Sequence, residues 1–243
     1  MKLYDLHLGA ARGVRPSFGE FAAFLPNIYS LVHRRLDAEF RPPRELELRR
    51  AALGGLAAGA AASVFLATFV IDWTRYNFAA EHAVKVVTLF LALVPLANFS
   101  ASLWRLAGGR GRDFMDNPFA ARTPADFWRR YNRPVHQFLE QDVFTPAGGR
   151  RSGFRAAVAA FVASALIHEY VFFVPVGRVQ GYQTAFFLVQ GLAVAATLHL
   201  HPRGVAAVAS VALTLVFNLV TGVLFFASVD EILPFYENAV PVW

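Results

Sequence analysis

The chain has 243 residues, 56% hydrophobic and only 16% charged, with a mean hydropathy of +0.41. That balance is too apolar for an ordinary soluble domain and points to a polytopic membrane protein. There is no cysteine, which excludes disulfides, thiolate nucleophiles, cysteine-bound zinc and iron–sulfur clusters. The net charge of +6 lies beside apolar stretches rather than along one basic face, so lipid headgroups or a phosphorylated substrate suit it better than nucleic acid.

Residues 1–50 read as a basic cytoplasmic or interfacial arm. Its start, MKLYDLHLGAARGVRPSFGEF, lacks the uninterrupted apolar core of a cleaved signal peptide, so insertion through the chain's own spans is expected. Phe18, Phe21, Phe24, Leu25, Ile28 and Leu31 give the arm an apolar side, and Arg41-Pro42-Pro43-Arg44 is expected to stop any helix.

Crossing about 30 Å of hydrocarbon takes about 20 apolar residues in a helix. Five windows approach this: 51–71 and 83–103, the first two spans within residues 51–104; then 154–176, 183–200 and 204–229, the last three within 154–229. Gln183 and Gln190 weaken the fourth. The expected fold is all-α, a transmembrane helical bundle of about five spans with interfacial or re-entrant helices between. Lys and Arg number nine in residues 1–50 and nine in 105–153, against one each in 72–82 and 177–182 and none after 229. The positive-inside rule then places the N-terminus in the cytoplasm, as in a bacterial inner membrane, and the short acidic tail 230–243 outside.

Gly55, Gly59 and Ser63 in the first window, and Ala156, Ala160 and Ser164 in the third, form small-residue stripes suited to close helix packing. Pro95 and Asn98 suggest a kink and an inward polar group in the second.

Between the second and third windows, residues 105–153 read as a cytoplasmic-side re-entrant or interfacial segment. It contains FWRRYNRPVHQFLEQD, residues 127–142, with an apolar stripe through Trp128, Tyr131, Val135 and Phe138 and a break near Pro134. Arg129, Arg130 and Arg133 suit lipid headgroups or, more pointedly, the phosphates of a cytosolic co-substrate, because guanidinium grips phosphate in a bidentate way.

Thirty-six residues after Asn132, His168 and Glu169 interrupt the apolar run SALIHEYVFF. Ionisable side chains this deep cost about 2.5–3.5 kcal/mol on insertion scales and mark function by default, with helix-to-helix glue as the alternative. Adjacent helical residues point about 100° apart, so the two serve different surroundings. Ser164, one turn earlier, is placed to fix the imidazole, and a neutral imidazole suits a general base. HEYVF is not the zinc motif H-E-x-x-H, since Phe172 stands at the second histidine's place, and His199-x-His201 reads as a solvated turn; no metal or bound cofactor is expected. Asn218 is a buried amide in need of partners.

FWRRYNRPVHQFL followed by SALIHEYVFF resembles the membrane-bound O-acyltransferases, in the branch of diacylglycerol, sterol and wax-synthase-like enzymes, whose members carry F-W-x-x-W-N-x-P-V-H and then H-E-Y on an intramembrane helix. The resemblance implies transfer of an acyl group from acyl-CoA, as co-substrate, to a lipid alcohol such as a diacylglycerol, a long-chain alcohol or a sterol. By position it implies His168 as catalytic base, Asn132 as its companion and Glu169 near the acceptor. Ser164, Trp128 and Asn218 are then expected around the substrates, and the three arginines near the CoA phosphates. The resemblance also requires residues 127–142 to tuck between the helices, and in so short a chain a homodimer is one way to enclose the site. A non-catalytic membrane scaffold, or a proton-coupled transporter with His168 and Glu169 as a relay, are the competing readings.

Overall fold

A computed structural model describes residues 1–11, 13, 16–33 and 42–241. Arg41 of the expected helix stop, part of the 1–50 arm and the last two residues of the 230–243 tail lie outside them. The described residues form α-helices joined by short 3₁₀ and π turns, with no strand among them.

Helix α1 (Lys2–Ala11) and helix α2 (Phe18–Phe24) make up the described part of the arm. Ser17 and Glu20 form a reciprocal capping box at the start of α2, and Lys2 Nζ closes its other end on the carbonyls of Phe24, Leu25 and Asn27. Helix α3 (Arg44–Ala67) and helix α4 (Phe78–Leu106) pack as an antiparallel pair. Asn77 caps α4, and the helix begins earlier than the sequence suggests because its first turns bury a complete ion pair, Glu81 with Lys85.

Helix α5 (Pro124–Tyr131), helix α6 (Arg133–Leu139) and a π-type turn (Glu140–Phe144) fill the 105–153 segment. Helix α7 (Gly153–Val176), helix α8 (Tyr182–Thr197) and helix α9 (Val205–Asp230) follow, with α8 packed against both neighbours. Four helices, α3, α4, α7 and α9, are long and apolar enough to cross a membrane. At 16 residues α8 covers about 24 Å, short of a full crossing, so the expectation of about five spans is roughly met by four full-length helices and this shorter one, the window that Gln183 and Gln190 weaken.

The small-residue stripe of α7 is buried as expected, with Ala156 at 0% exposure. In α3 the expected spacing fails after Gly55: Gly59 and Ser63 are exposed, and the face towards α4 runs through Ala51, Gly55 and Ala58. A Cβ on Gly55 would come within 3.1 Å of the Phe99 ring, so the contact continues at the helical 3.6 period rather than at strict fours. Asn98 pairs both ways with the backbone of Met115, at 3.0 Å each, and anchors the segment leading to α5. The C-terminal tail folds back over α4: Glu81 accepts the backbone N–H groups of Glu237 and Asn238.

Candidate functional site

The arginine-rich segment enters the bundle. Thr123 caps α5 with Pro124 in its first turn, and Asp116 N–H to Arg130 O and Arg133 N–H to Phe114 O hold its far end. Ala125 N–H donates to Thr197 Oγ1 at 3.3 Å near the end of α8, whereas Trp128 Nε1 donates to Gln190 Oε1 at 2.9 Å. Those partners lie seven residues apart on α8, so α5 climbs about 10 Å into the bundle. Tyr131 then meets Phe90, near the middle of α4, in a tilted ring contact at 5.7 Å between centroids. After Asn132 the chain turns at the buried Pro134, and Phe144 returns to Ala157 in the second turn of α7. The hairpin's irregular backbone is thereby covered by protein, the condition for non-helical chain at membrane depth.

Asn132 caps α6: its Oδ1 accepts from Val135 N–H at 3.2 Å, which directs its Nδ2 elsewhere. No hydrogen bond to that Nδ2 occurs among the described residues. Trp128, one turn before Asn132, meets a dense aromatic group of Phe161, Phe186 and Phe187.

His168 lies on the other side of Phe187, with ring centroids 4.2 Å apart. Its Nδ1 is 2.9 Å from the carbonyl of Ser164, so it is the backbone rather than the Ser164 hydroxyl that orients the ring. A carbonyl only accepts, hence Nδ1 carries a proton, and in the neutral form of the ring it is Nε2 that presents the lone pair. Phe187 is thus the single ring between Trp128 of the hairpin and His168 of α7.

Glu169 points away from His168, as adjacent helical residues must. Its Oε1 accepts from the N–H groups of Gln180 and Gly181 at 2.9 and 2.7 Å, and its Oε2 from the N–H and hydroxyl of Thr184 at 3.0 and 2.8 Å. The carboxylate closes the N-terminus of α8, which starts beside Glu169 and so about 10 Å below the end of α7. Helix starts leave N–H groups that lipid cannot satisfy, which accounts for an acid at this depth.

The two glutamines that weaken the fourth window are completely buried and bind α8 to its neighbours. Gln190 Nε2 donates to Asn218 Oδ1 at 3.2 Å and to Thr221 Oγ1 at 2.9 Å, so one amide joins Trp128 of the hairpin to Asn218 of α9. Asn218 Nδ2 remains buried without a partner. Sequence reasoning did not single out Gln190, which bonds to two of the candidate residues, Trp128 and Asn218. The signal is its spacing: Gln183 and Gln190 are two turns apart on one face of an otherwise apolar helix.

Of the arginines, Arg129 and Arg130 share Asp126 at 2.5 and 2.8 Å, and Arg133 has no ion pair among the described residues. Burial alone would raise the Asp126 carboxyl, but the hydrogen bonds from Arg129, Arg130 and Arg122 hold it below its ordinary range. His201 Nδ1 donates to the carbonyl of His199 in an exposed turn. A groove of about 410 Å³ lies between α3 and α4, lined by Ala57, Ala60, Ala61 and Pro95 among others, and includes none of these residues.

The family model for MBOAT, the membrane-bound O-acyltransferase family, matches residues 69–229, about two thirds of this chain. Among curated proteins, a probable sterol O-acyltransferase 2 of Schizosaccharomyces pombe is 32% identical over 95 residues, 39% of this chain and 20% of that protein. Diacylglycerol O-acyltransferase 1A of Glycine max is 39% identical over 67 residues, 26% of this chain and 13% of its own. The matches therefore span a fifth or less of these relatives' length.

Proposed function

The chain belongs to the membrane-bound O-acyltransferase family, and we propose from this premise that it transfers a fatty acyl group from acyl-CoA to the hydroxyl of a lipid alcohol within the membrane. The observation that carries the reading is the tethered imidazole: His168 Nδ1 bound to the Ser164 carbonyl leaves Nε2 as a base, one aromatic ring from a hairpin that climbs into the bundle. Nε2 takes the proton of the alcohol as its oxygen attacks the thioester carbonyl. The carbon–sulfur bond then breaks, and the imidazolium returns the proton to the leaving thiolate, giving ester and free CoA.

Asn132 Nδ2 supplies the donor for the oxyanion, since its Oδ1 is occupied as a helix cap. Gln190 holds Trp128 and Asn218 in fixed relation, and Asn218 Nδ2 is a second donor facing the substrates. Arg129, Arg130 and Arg133 meet the CoA phosphates at the hairpin's entrance. That assignment puts the entrance and the N-terminus on the cytoplasmic side of a bacterial inner membrane, in accord with the distribution of basic residues. Glu169 serves the reaction by seating α8, and its four protein donors argue against a proton relay through it.

The test is to purify the protein in detergent, supply palmitoyl-CoA with diacylglycerol, hexadecanol or a sterol, and follow free CoA thiol and ester. Alcohol-dependent CoA release that falls by 100-fold or more, on the order expected for a general base, in His168→Ala supports the reading. Full activity in that variant, or no ester with any alcohol, overturns it.

A further inference from the structure

The bundle end that carries the Gly177–Gly181 turn holds polar atoms for which the acyl-transfer step has no use. Gln180 keeps both Nε2 and Oε1 buried without a hydrogen-bond partner. Gln183, completely buried, donates from Nε2 to the Phe225 carbonyl at 3.0 Å and leaves Oε1 unpaired. Ser228, also completely buried, has an unpaired Oγ. Bonds bring the three positions to one place. Glu169 gathers the backbone of Gln180 and of Thr184, next to Gln183, and Gln183 reaches the carbonyl of Phe225, three residues before Ser228.

Proteins rarely leave such groups unpaired, and in a membrane bundle lipid offers them nothing. Three such residues at one end of the bundle, where α8 begins and where Phe225, whose carbonyl accepts from Gln183, sets its ring 6.3 Å from that of His168, make the pattern of a site built for a ligand. Its chemistry is neutral and two-sided: amide N–H and O–H donors beside an amide acceptor, matching an alcohol, which both donates and accepts. An anionic head would meet the carboxylate of Glu169, and Arg178 is already paired with Glu231 at 2.8 Å. The position along α7, beyond His168 as seen from the arginine-bearing hairpin, separates it from the CoA side.

We propose that Gln180, Gln183 and Ser228 form a recognition site for the hydroxyl-bearing head of the acceptor lipid, which holds the alcohol beside His168 before transfer. This rests on the acyltransferase reading above and adds to it where the acceptor is held.

The experiment uses the full chain in nanodiscs with a diazirine-bearing hexadecanol, its crosslinks mapped by peptide mass spectrometry. Labelling of residues 177–187 and 224–231 is expected to be competed by hexadecanol and not by hexadecyl methyl ether. It should survive in His168→Ala and fall about fivefold in Gln183→Leu or Ser228→Ala, the size of one lost hydrogen bond. Gln180→Leu and Ser228→Ala remove unpaired buried groups, so the melting temperature should hold or rise while capture falls. Labelling indifferent to the hydroxyl means that water alone satisfies these atoms and overturns the proposal; so does a joint loss of melting temperature and capture. Hydroxyl-dependent labelling without ester from any alcohol would sink the acyltransferase reading instead, and ester formation without this labelling would sink only the site.

Discussion

His82, which is buried, and His168, which is partly buried, are both imidazoles on long apolar helices, one in the α3–α4 half of the bundle and one in the α7–α9 half. His82 Nε2 donates to the Leu219 carbonyl at 2.8 Å while its Nδ1 takes the Tyr236 hydroxyl at 2.6 Å, so both nitrogens are spoken for. His168 binds through one nitrogen. The same contrast runs through the neighbours. Around His82, Glu81 and Lys85 pair at 2.7 Å with 0% and 1% of their side chains exposed; Lys85 also donates to the Phe235 carbonyl, and Glu81 takes three donors from Glu237 and Asn238. At the opposite end of α4, Arg105 is held between Glu47 and Asp113. Around His168 the carboxylate of Glu169 is fully bonded, and the other buried polar groups are neutral amides and hydroxyls, several with an atom to spare. A buried ionisable residue is therefore no sign of chemistry by itself in this molecule, and the reading proposed above rests on the incompletely satisfied groups instead.

The saturated half should break on stability. Lys85→Met leaves Glu81 buried without its cation, for an expected loss of about 3–5 kcal/mol. A chemical denaturation series in mild detergent checks this, and adding Glu81→Gln to it should recover part of the loss. If the single variant is as stable as wild type, the ion pair is not what closes that end.

In the other half the closest contact is between helices. A Cβ on Gly191 would stand 2.5 Å from the Phe161 Cβ, so Gly191→Ala must push α7 from α8, at about 1–3 kcal/mol. Phe161 also carries Trp128, so the shift should lower turnover beyond the loss in stability, measured as kcat on the folded fraction. Smaller again, Trp128→Phe keeps the ring but orphans Gln190 Oε1, costing about 1–2 kcal/mol in the melting transition.

The long apolar runs made α3, α4, α7 and α9 legible from sequence, because membrane helices follow from apolar length alone. The spacing of Asn132 and His168 likewise singled out the two segments that Phe187 joins. What stayed hidden depends on pairing between distant residues. No local pattern tells that Glu169 would cap a helix starting 13 residues later, that Gln190 would bridge α5 to α9, or that Tyr236 would reach back to His82. The stripe in α3 misled because a four-residue spacing drifts around a 3.6-residue helix, carrying Gly59 and Ser63 away from α4.

Asp126 offers the mildest intervention, and the one that bears most directly on the arginines. It holds Arg129 and Arg130 at the hairpin's entrance, with its carboxyl below the ordinary range. A lowered folded pKa means stability that is fully present above the unfolded value, near 4, and lost only as the pH falls through the folded one. Between pH 5 and 8 this contribution should therefore be flat, and Asp126→Asn should cost the same at every pH in that window, about 1 kcal/mol or less. A cost that grows from pH 5 to pH 8 would contradict the lowered carboxyl. The kinetic consequence runs the other way. If the arginines receive CoA phosphates, the substrate competes with Asp126 for them, and removing the carboxylate should lower the KM for acyl-CoA about twofold. The KM should also rise more steeply with salt, since the pairing left to the arginines is then with the substrate alone. A variant with unchanged KM and unchanged salt dependence would leave the two arginines as anchors of α5.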